Sequence, residues 1–251
     1  MLSGSFFLFI LVIVKGFPTN ITLQLILTLA VFAIGEVSLY LSLYKAFEVA
    51  NVSLASSVIA TFPALSTLFL IIFLGEKISI IKIAFILLIV VGGILISIDW
   101  TTLKSQSFNF RTFIKGLPWA LLCLLLHAIY FPLLSVLTAN GHWEFKLFGI
   151  KIFAVVILII IFVLIKKVKF QITGIRLLAG TLLGFLEVLG WIGLSLASSN
   201  STGSIAIILA LSQAPIVTPI AGIVLLKEKF ALMQFVGLVF VIIGVTALTL
   251  V

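Results

Sequence analysis

The chain has 251 residues, of which 63% are hydrophobic and 9% charged, with a mean hydropathy of +1.47 and a formal net charge of +8. Soluble domains carry about 25% charged residues, so a water-soluble fold is excluded for most of this chain. The Lys and Arg residues stand in short breaks between apolar runs and form no basic face, which argues against nucleic acid as a partner. The single cysteine, Cys123, excludes an internal disulfide and a cysteine metal cluster.

Nine apolar runs are candidates for crossing a membrane, where a helical span needs about 20 residues. Backbone groups in lipid must be hydrogen-bonded within the segment, so each run is expected to be a helix. The first run is short for a span of its own. The expected spans are 2–14, 22–46, 52–74, 79–98, 113–137, 147–165, 174–198, 204–226 and 230–251.

The longest polar stretch, Asp99 to Arg111, separates the fourth span from the fifth. It is the natural linker between two halves, so the expected organisation is a first repeat at 1–99, a linker at 100–112 and a second repeat at 113–251. Matched residues at a nearly constant offset support this division. The matched pairs are Pro63 and Pro215, Glu76 and Glu228, Gly92 and Gly244, and, with the offset reduced by one, Glu36 and Glu187.

The second half holds five predicted spans and the first half four, so the first repeat is expected to lack its first helix. A truncated or misassigned start, or a degenerate gene, would explain this, and a genuine nine-span protein is the alternative. Repeats with an odd number of spans enter the membrane in opposite orientations. The pattern therefore predicts two inverted repeats of about five helices, a plan in which substrate sites lie near the bilayer midplane.

Two short motifs occur once in each half. Ala60-Thr-Phe-Pro63 precedes Leu74-Gly-Glu-Lys77, and Ser212-Gln-Ala-Pro215 precedes Leu226-Lys-Glu-Lys229. This pattern resembles the drug/metabolite transporter superfamily, specifically the EamA-like exporters. The resemblance implies a ten-helix fold in the cell membrane and alternating-access transport of amino acids, metabolites or drugs, often outward. Lys227 departs from the glycine that is usual there, and the missing first helix is one that usually lines the central cavity.

Two of the seven acidic residues, Glu36 and Glu187, fall well inside spans and are repeat-equivalent. Ionisable groups in hydrocarbon are costly, so their symmetric placement suggests one shared cavity that binds a cationic group or carries a coupling proton. The alternative is that each is hydrogen-bonded between helices as packing. Tyr40 and Trp191 follow one turn later on the same helix faces, which would suit cation–π contact with an ammonium ligand.

Other polar residues near the span centres complete the predicted site. His127 and Tyr130 lie within the fifth span, where a histidine can titrate or simply pack. Pro63, Pro215 and Pro219 interrupt their helices and free backbone carbonyls, either as substrate-lining breaks or as plain kinks. The predicted substrate-binding residues are Glu36, Tyr40, His127, Tyr130, Glu187, Trp191, Ser212 and Gln213.

The leading hypothesis is a secondary transporter that exports amino acids or related small metabolites, acting as a monomer or homodimer. A proton or another ion would couple transport, and no enzyme activity, cofactor or metal site is expected. A lipid-carrier flippase, a nucleotide-sugar carrier and a non-transporting remnant or partner subunit are the alternatives. A basic cavity would favour the sugar carrier, but Lys146 and Lys151 are counted here with the loop cations, which leaves almost no buried cation.

Overall fold

A computed structural model describes residues 2–49, 52–98, 100, 110–139, 141–165, 174–200 and 231–250. Helices account for most of these residues, and none of them is in a β-strand. In chain order the helices are α1 Leu2–Lys15, α2 Leu23–Val49, α3 Val52–Ile59, α4 Phe62–Leu74, α5 Ile80–Ser97, α6 Phe110–Ala139, α7 Trp143–Ile165, α8 Gly174–Asn200 and α9 Leu232–Leu250.

Seven helical segments of the described chain are long and apolar enough to cross a membrane, and α1 is a shorter apolar helix. Large apolar side chains such as Val14, Ile80 and Leu250 are mostly exposed, as expected where the surrounding solvent is lipid. The prediction of an all-α polytopic membrane protein is confirmed. The predicted span 204–226 lies outside the described residues.

Two predicted spans differ from the structure by more than a few residues at an edge or by an interruption. The third is divided into α3 and α4 by a turn at Ala60 and Thr61, and Pro63 is the second residue of α4. Proline has no N–H to donate at this point, and the Thr61 hydroxyl donates to the Val58 carbonyl oxygen at 2.7 Å. The sixth span begins at Trp143 and not at 147, which brings Lys146 inside the helix and places Lys151 two turns from its start.

The chain divides into two compact units. The first comprises residues 1–38 and 133–202, and the second comprises residues 39–132 and 203–251. Each unit therefore takes segments from both halves of the sequence, so a side chain of the first repeat can meet one of the second within a single unit.

In the second unit, α5 and α9 cross in close contact through glycines. A Cβ atom on Gly92 would lie 2.6 Å from the Gly237 carbonyl oxygen, and one on Gly244 would lie 3.1 Å from the Phe85 carbonyl oxygen. The offset that aligns Gly92 with Gly244 also aligns Phe85 with Gly237, so the two contacts are equivalent. Numbering rises along α5 as it falls along α9. The two equivalent helices are thus antiparallel, which agrees with the predicted inverted repeats.

In the first unit, close contacts hold the helices that carry the mid-span glutamates. A Cβ atom on Gly4 of α1 would lie 2.9 Å from the Gly184 carbonyl oxygen of α8. The side chain of Leu29 on α2 covers Gly149 of α7, where a Cβ atom would lie 2.7 Å from Leu29 Cδ1. Small residues permit such approaches between membrane helices. They set the positions of α2, α7 and α8 around the site described next.

Candidate functional site

Three charged side chains of the first unit meet deep inside the predicted spans. Glu36 is the central residue of the 27-residue helix α2, and Glu187 is the central residue of the 27-residue helix α8. At 1.5 Å per residue each lies about 20 Å from either end of its helix, a distance comparable to half the bilayer thickness. Lys151 approaches both from α7. The three residues are called the buried triad below.

The Lys151 ammonium links the two glutamates. It donates to Oε1 of Glu36 and to Oε1 of Glu187. Lys151 and Glu36 are each 1% exposed, whereas the Glu187 side chain retains 22% of its surface. Removal of charges from water is costly, and a buried ion pair offsets that cost only when its geometry supplies good hydrogen bonds. The shared ammonium supplies such a hydrogen bond to one oxygen of each carboxylate.

Trp191 completes the site one helical turn after Glu187. Its indole N–H donates to Glu187 Oε1 at 3.3 Å, and Lys151 Nζ lies 5.2 Å from the centroid of its ring. Residues four apart share a helix face, which is why the indole reaches both charged partners. A cation within about 6 Å of an indole centroid is attracted by the ring quadrupole. The arrangement therefore stabilises an ammonium by two carboxylates and one aromatic face.

Several buried oxygens in this unit lack a hydrogen-bond partner among the described residues. They are Glu36 Oε2 and the hydroxyls of Ser135, Ser195 and Ser198. Ser195 lies one turn beyond Trp191 on α8 and is fully buried. Buried polar groups are hydrogen-bonded in the large majority of cases. These oxygens can therefore accept hydrogen bonds from a ligand or from water.

The remaining predicted site residues that are described belong to the second unit. Tyr40 stacks on Tyr44, with ring centroids 6.3 Å apart. His127 Nδ1 donates to the Cys123 carbonyl oxygen at 2.8 Å, and its ring stacks on Phe131 at a centroid distance of 5.4 Å. These contacts suit packing, and a substrate-binding role for His127 stays a prediction.

Tyr130 is buried beside Phe131, with ring centroids 6.1 Å apart. Its substrate-binding role likewise stays a prediction. Four predicted residues lie outside the described part of the chain: Ser212, Gln213, Pro215 and Pro219.

Sequence reasoning missed Lys151. The assignment of Lys151 and Lys146 to loops was wrong, since both are buried in α7, where Lys146 Nζ donates to the Leu137 carbonyl oxygen at 2.8 Å. The available signal was Trp143, an interfacial type of residue followed by the acidic Glu144, which suits a helix start. Lys151 then falls two turns inside the span. In the described segments, no group of three His, Cys, Asp or Glu residues could hold a metal ion.

Comparison with known proteins concerns the chain as a whole. The model of the EamA-like transporter family matches residues 1–98 and 114–250. One crystal structure of a protein is similar with a TM-score of 0.78 and 16% identity, over 99% of this chain and 85% of that chain. At this identity the likeness concerns the fold alone. No curated protein matches the sequence.

Proposed function

The chain belongs to the EamA-like transporter family, and we propose that it is a secondary active transporter that exports small metabolites bearing an ammonium group, amino acids among them. The observation that carries this proposal is the Lys151 ammonium held by Glu36, Glu187 and the Trp191 ring. A substrate ammonium has the same charge and the same N–H donors. The surroundings that stabilise the lysine group are therefore those that such a substrate requires.

The origin of the two carboxylates supports an alternating-access mechanism. Glu36 comes from the first sequence repeat and Glu187 from the second, and each is central in its helix. Movement of one inverted repeat against the other changes the separation of two such groups while the site stays near the midplane. The lysine bridge would then be intact in one state and open to replacement by substrate in another.

The charge of the site argues against a nucleotide-sugar substrate. Lys151 is a buried cation that the sequence alone did not place, but two carboxylates accept from it. The buried triad therefore carries more negative than positive formal charge. A diphosphate would meet repulsion there, because like charges in a weakly polar interior interact strongly.

The flux of radiolabelled amino acids across the membrane of proteoliposomes tests the proposal. We expect Glu36→Gln and Glu187→Gln each to lower flux by at least about tenfold, since a hydrogen bond to a charged group contributes about 1.5–3 kcal/mol. Glu48→Gln is the matched control, because Glu48 is exposed and pairs only with Lys45 at 3.0 Å among the described contacts. Unchanged flux in both mid-span variants would reject the carboxylate site.

A further inference from the structure

We propose that the hydroxyls of Ser195 and Ser198 form a second binding site, the hydroxyl subsite, for an uncharged polar group at the far end of an elongated substrate. The inference rests on the proposed transport function and adds the shape of the substrate: an ammonium group, an apolar stem and a distal hydroxyl or amide. It follows from the order of side chains along one face of α8 and from the burial of both hydroxyls.

The inward face of α8 changes in character from the middle of the helix towards its end. Glu187, Trp191 and Ser195 follow one another at intervals of four residues, a spacing that keeps side chains on one helix face. Ser198 comes one turn after Ser195. Because Trp191 and both serines are buried, this face points into the protein. A carboxylate, an aromatic ring and two hydroxyls therefore line it in that order.

The two hydroxyls have no hydrogen-bond partner among the described residues. Ser195 is 0% exposed and Ser198 is 7% exposed. A serine hydroxyl in a helix can donate to a backbone carbonyl of the preceding turn, as that of Ser199 does to Leu196 at 3.2 Å. Buried hydroxyls that make no such bond still require a partner, and each can both donate and accept. A polar group of a ligand would supply that partner.

The Trp191 ring favours an organic ligand over a chain of water molecules at this face. It lies between Glu187 and Ser195, about 6 Å along the helix axis from each. Its indole N–H donates to Glu187 at 3.3 Å. A buried water typically makes about three hydrogen bonds, which the carbon atoms of an indole cannot provide, whereas an apolar stem packs well against an aromatic face. The pattern therefore suits a ligand that is polar at both ends and apolar between them.

The helix sets the length of that ligand. Ser195 follows Glu187 by eight residues, which is about 12 Å along the axis at 1.5 Å per residue. An extended aliphatic chain advances by about 1.25 Å per bond, so an amino alcohol of about eight carbons matches this span. The distal group is expected to be uncharged, because residues 188–200 contain no ionisable side chain and a buried charge without a counter-charge is strongly disfavoured.

Titration calorimetry of the purified full chain in detergent micelles measures the hydroxyl subsite, with heats of partition into empty micelles subtracted. The probes are aminooctanol, octylamine and aminoethanol. We expect Ser195→Ala and Ser198→Ala each to weaken aminooctanol binding by about two- to tenfold, the effect of one neutral hydrogen bond. Octylamine, which lacks the hydroxyl, and aminoethanol, which spans only about 4 Å, should bind the variants as they bind the unaltered protein.

Ser199→Ala is the matched control and should not change aminooctanol binding, since the Ser199 hydroxyl already donates to Leu196. An equal loss of affinity for octylamine and aminooctanol in Ser195→Ala would overturn the hydroxyl subsite, because altered packing would explain it. Unchanged aminooctanol binding in the double variant Ser195→Ala, Ser198→Ala would also overturn it and leave water as the partner of these hydroxyls. Tighter binding of aminooctanoate than of aminooctanol would overturn the uncharged distal group.

Proteoliposome flux separates this inference from the proposed function. Aminooctanol binding that depends on the two serines, without flux of any amine, would reject the transport function and retain the hydroxyl subsite. Amino-acid flux that depends on Glu36 and Glu187, together with aminooctanol binding that depends on neither serine, would reject the hydroxyl subsite and retain the transport function.

Discussion

Replacement of Lys151 by methionine removes the ammonium and keeps an unbranched side chain that fills most of its volume. Glu36 and Glu187 then remain buried without their shared donor. Loss of one partner from a buried ion pair costs about 3–5 kcal/mol, because the other charge is left uncompensated. Two carboxylates lose a partner here, but Glu187 retains 22% of its side-chain surface and is partly solvated. We therefore expect the unfolding free energy to fall by about 3–5 kcal/mol and not by twice that amount.

Reversible unfolding in mixed micelles, followed by circular dichroism, measures this loss. The triple variant Lys151→Met, Glu36→Gln, Glu187→Gln has no charge left at the site and should recover most of the lost free energy. Acidification should also reduce the defect of Lys151→Met, since protonated carboxyl groups carry no charge. An unfolding free energy of Lys151→Met within about 0.5 kcal/mol of the unaltered protein would refute the reasoning, as surface substitutions do no more than that.

Three further substitutions test other contacts. Trp191→Phe keeps an aromatic face but removes the indole N–H that donates to Glu187. The unfolding free energy in the same micelle assay should therefore fall by about 1.5 kcal/mol. Gly92→Ala places a Cβ 2.6 Å from the Gly237 carbonyl oxygen, and thermal unfolding should reveal a loss of about 1–3 kcal/mol. His127→Phe retains the aromatic stack, and proteoliposome flux should be unchanged if the ring only packs.

Two of these substitutions have a comparison variant, and the third has an outcome that would contradict it. Gly190→Ala adds a Cβ with no described atom within 4 Å, so it should leave thermal unfolding unaltered. Equal losses for Gly190→Ala and Gly92→Ala would contradict the close crossing of α5 and α9. Trp191→Leu should cost more than Trp191→Phe, because it also removes the ring face near Lys151. A loss of flux in His127→Phe, with folding intact, would favour substrate binding by His127.

The glutamate pair was predictable because an acidic residue inside a long apolar run has few structural explanations. The internal repeat then made Glu36 and Glu187 equivalent before any contact was known. The sequence predicted the equivalence of Gly92 and Gly244 but not the crossing of α5 and α9 at these glycines. Their contacts with Gly237 and Phe85 depend on how the two helices meet. The predictions for Ser212 and Gln213 lie outside the described residues and stay predictions.

Lys151 shows the limit of reading apolar runs one at a time. The predicted run started at 147, directly after Lys146, whereas the helix begins at Trp143. Lys151 lay near the start of that predicted run and was therefore counted with the loop cations. Hydropathy cannot distinguish a lysine in a headgroup layer from one whose charge is matched inside. That distinction depends on partners far away in the chain, 115 residues away for Glu36 and 36 for Glu187.

The sequence by itself determined the all-α membrane class, the two related halves and the mid-span carboxylates, because lipid demands long apolar helices and a repeat preserves spacing. Only the tertiary structure decided that these carboxylates share one ammonium beside Trp191. Helix packing selects which side chains meet, and the free energy of a buried charge depends on those neighbours. The charge of the site is therefore a property of three helices together and of no single span.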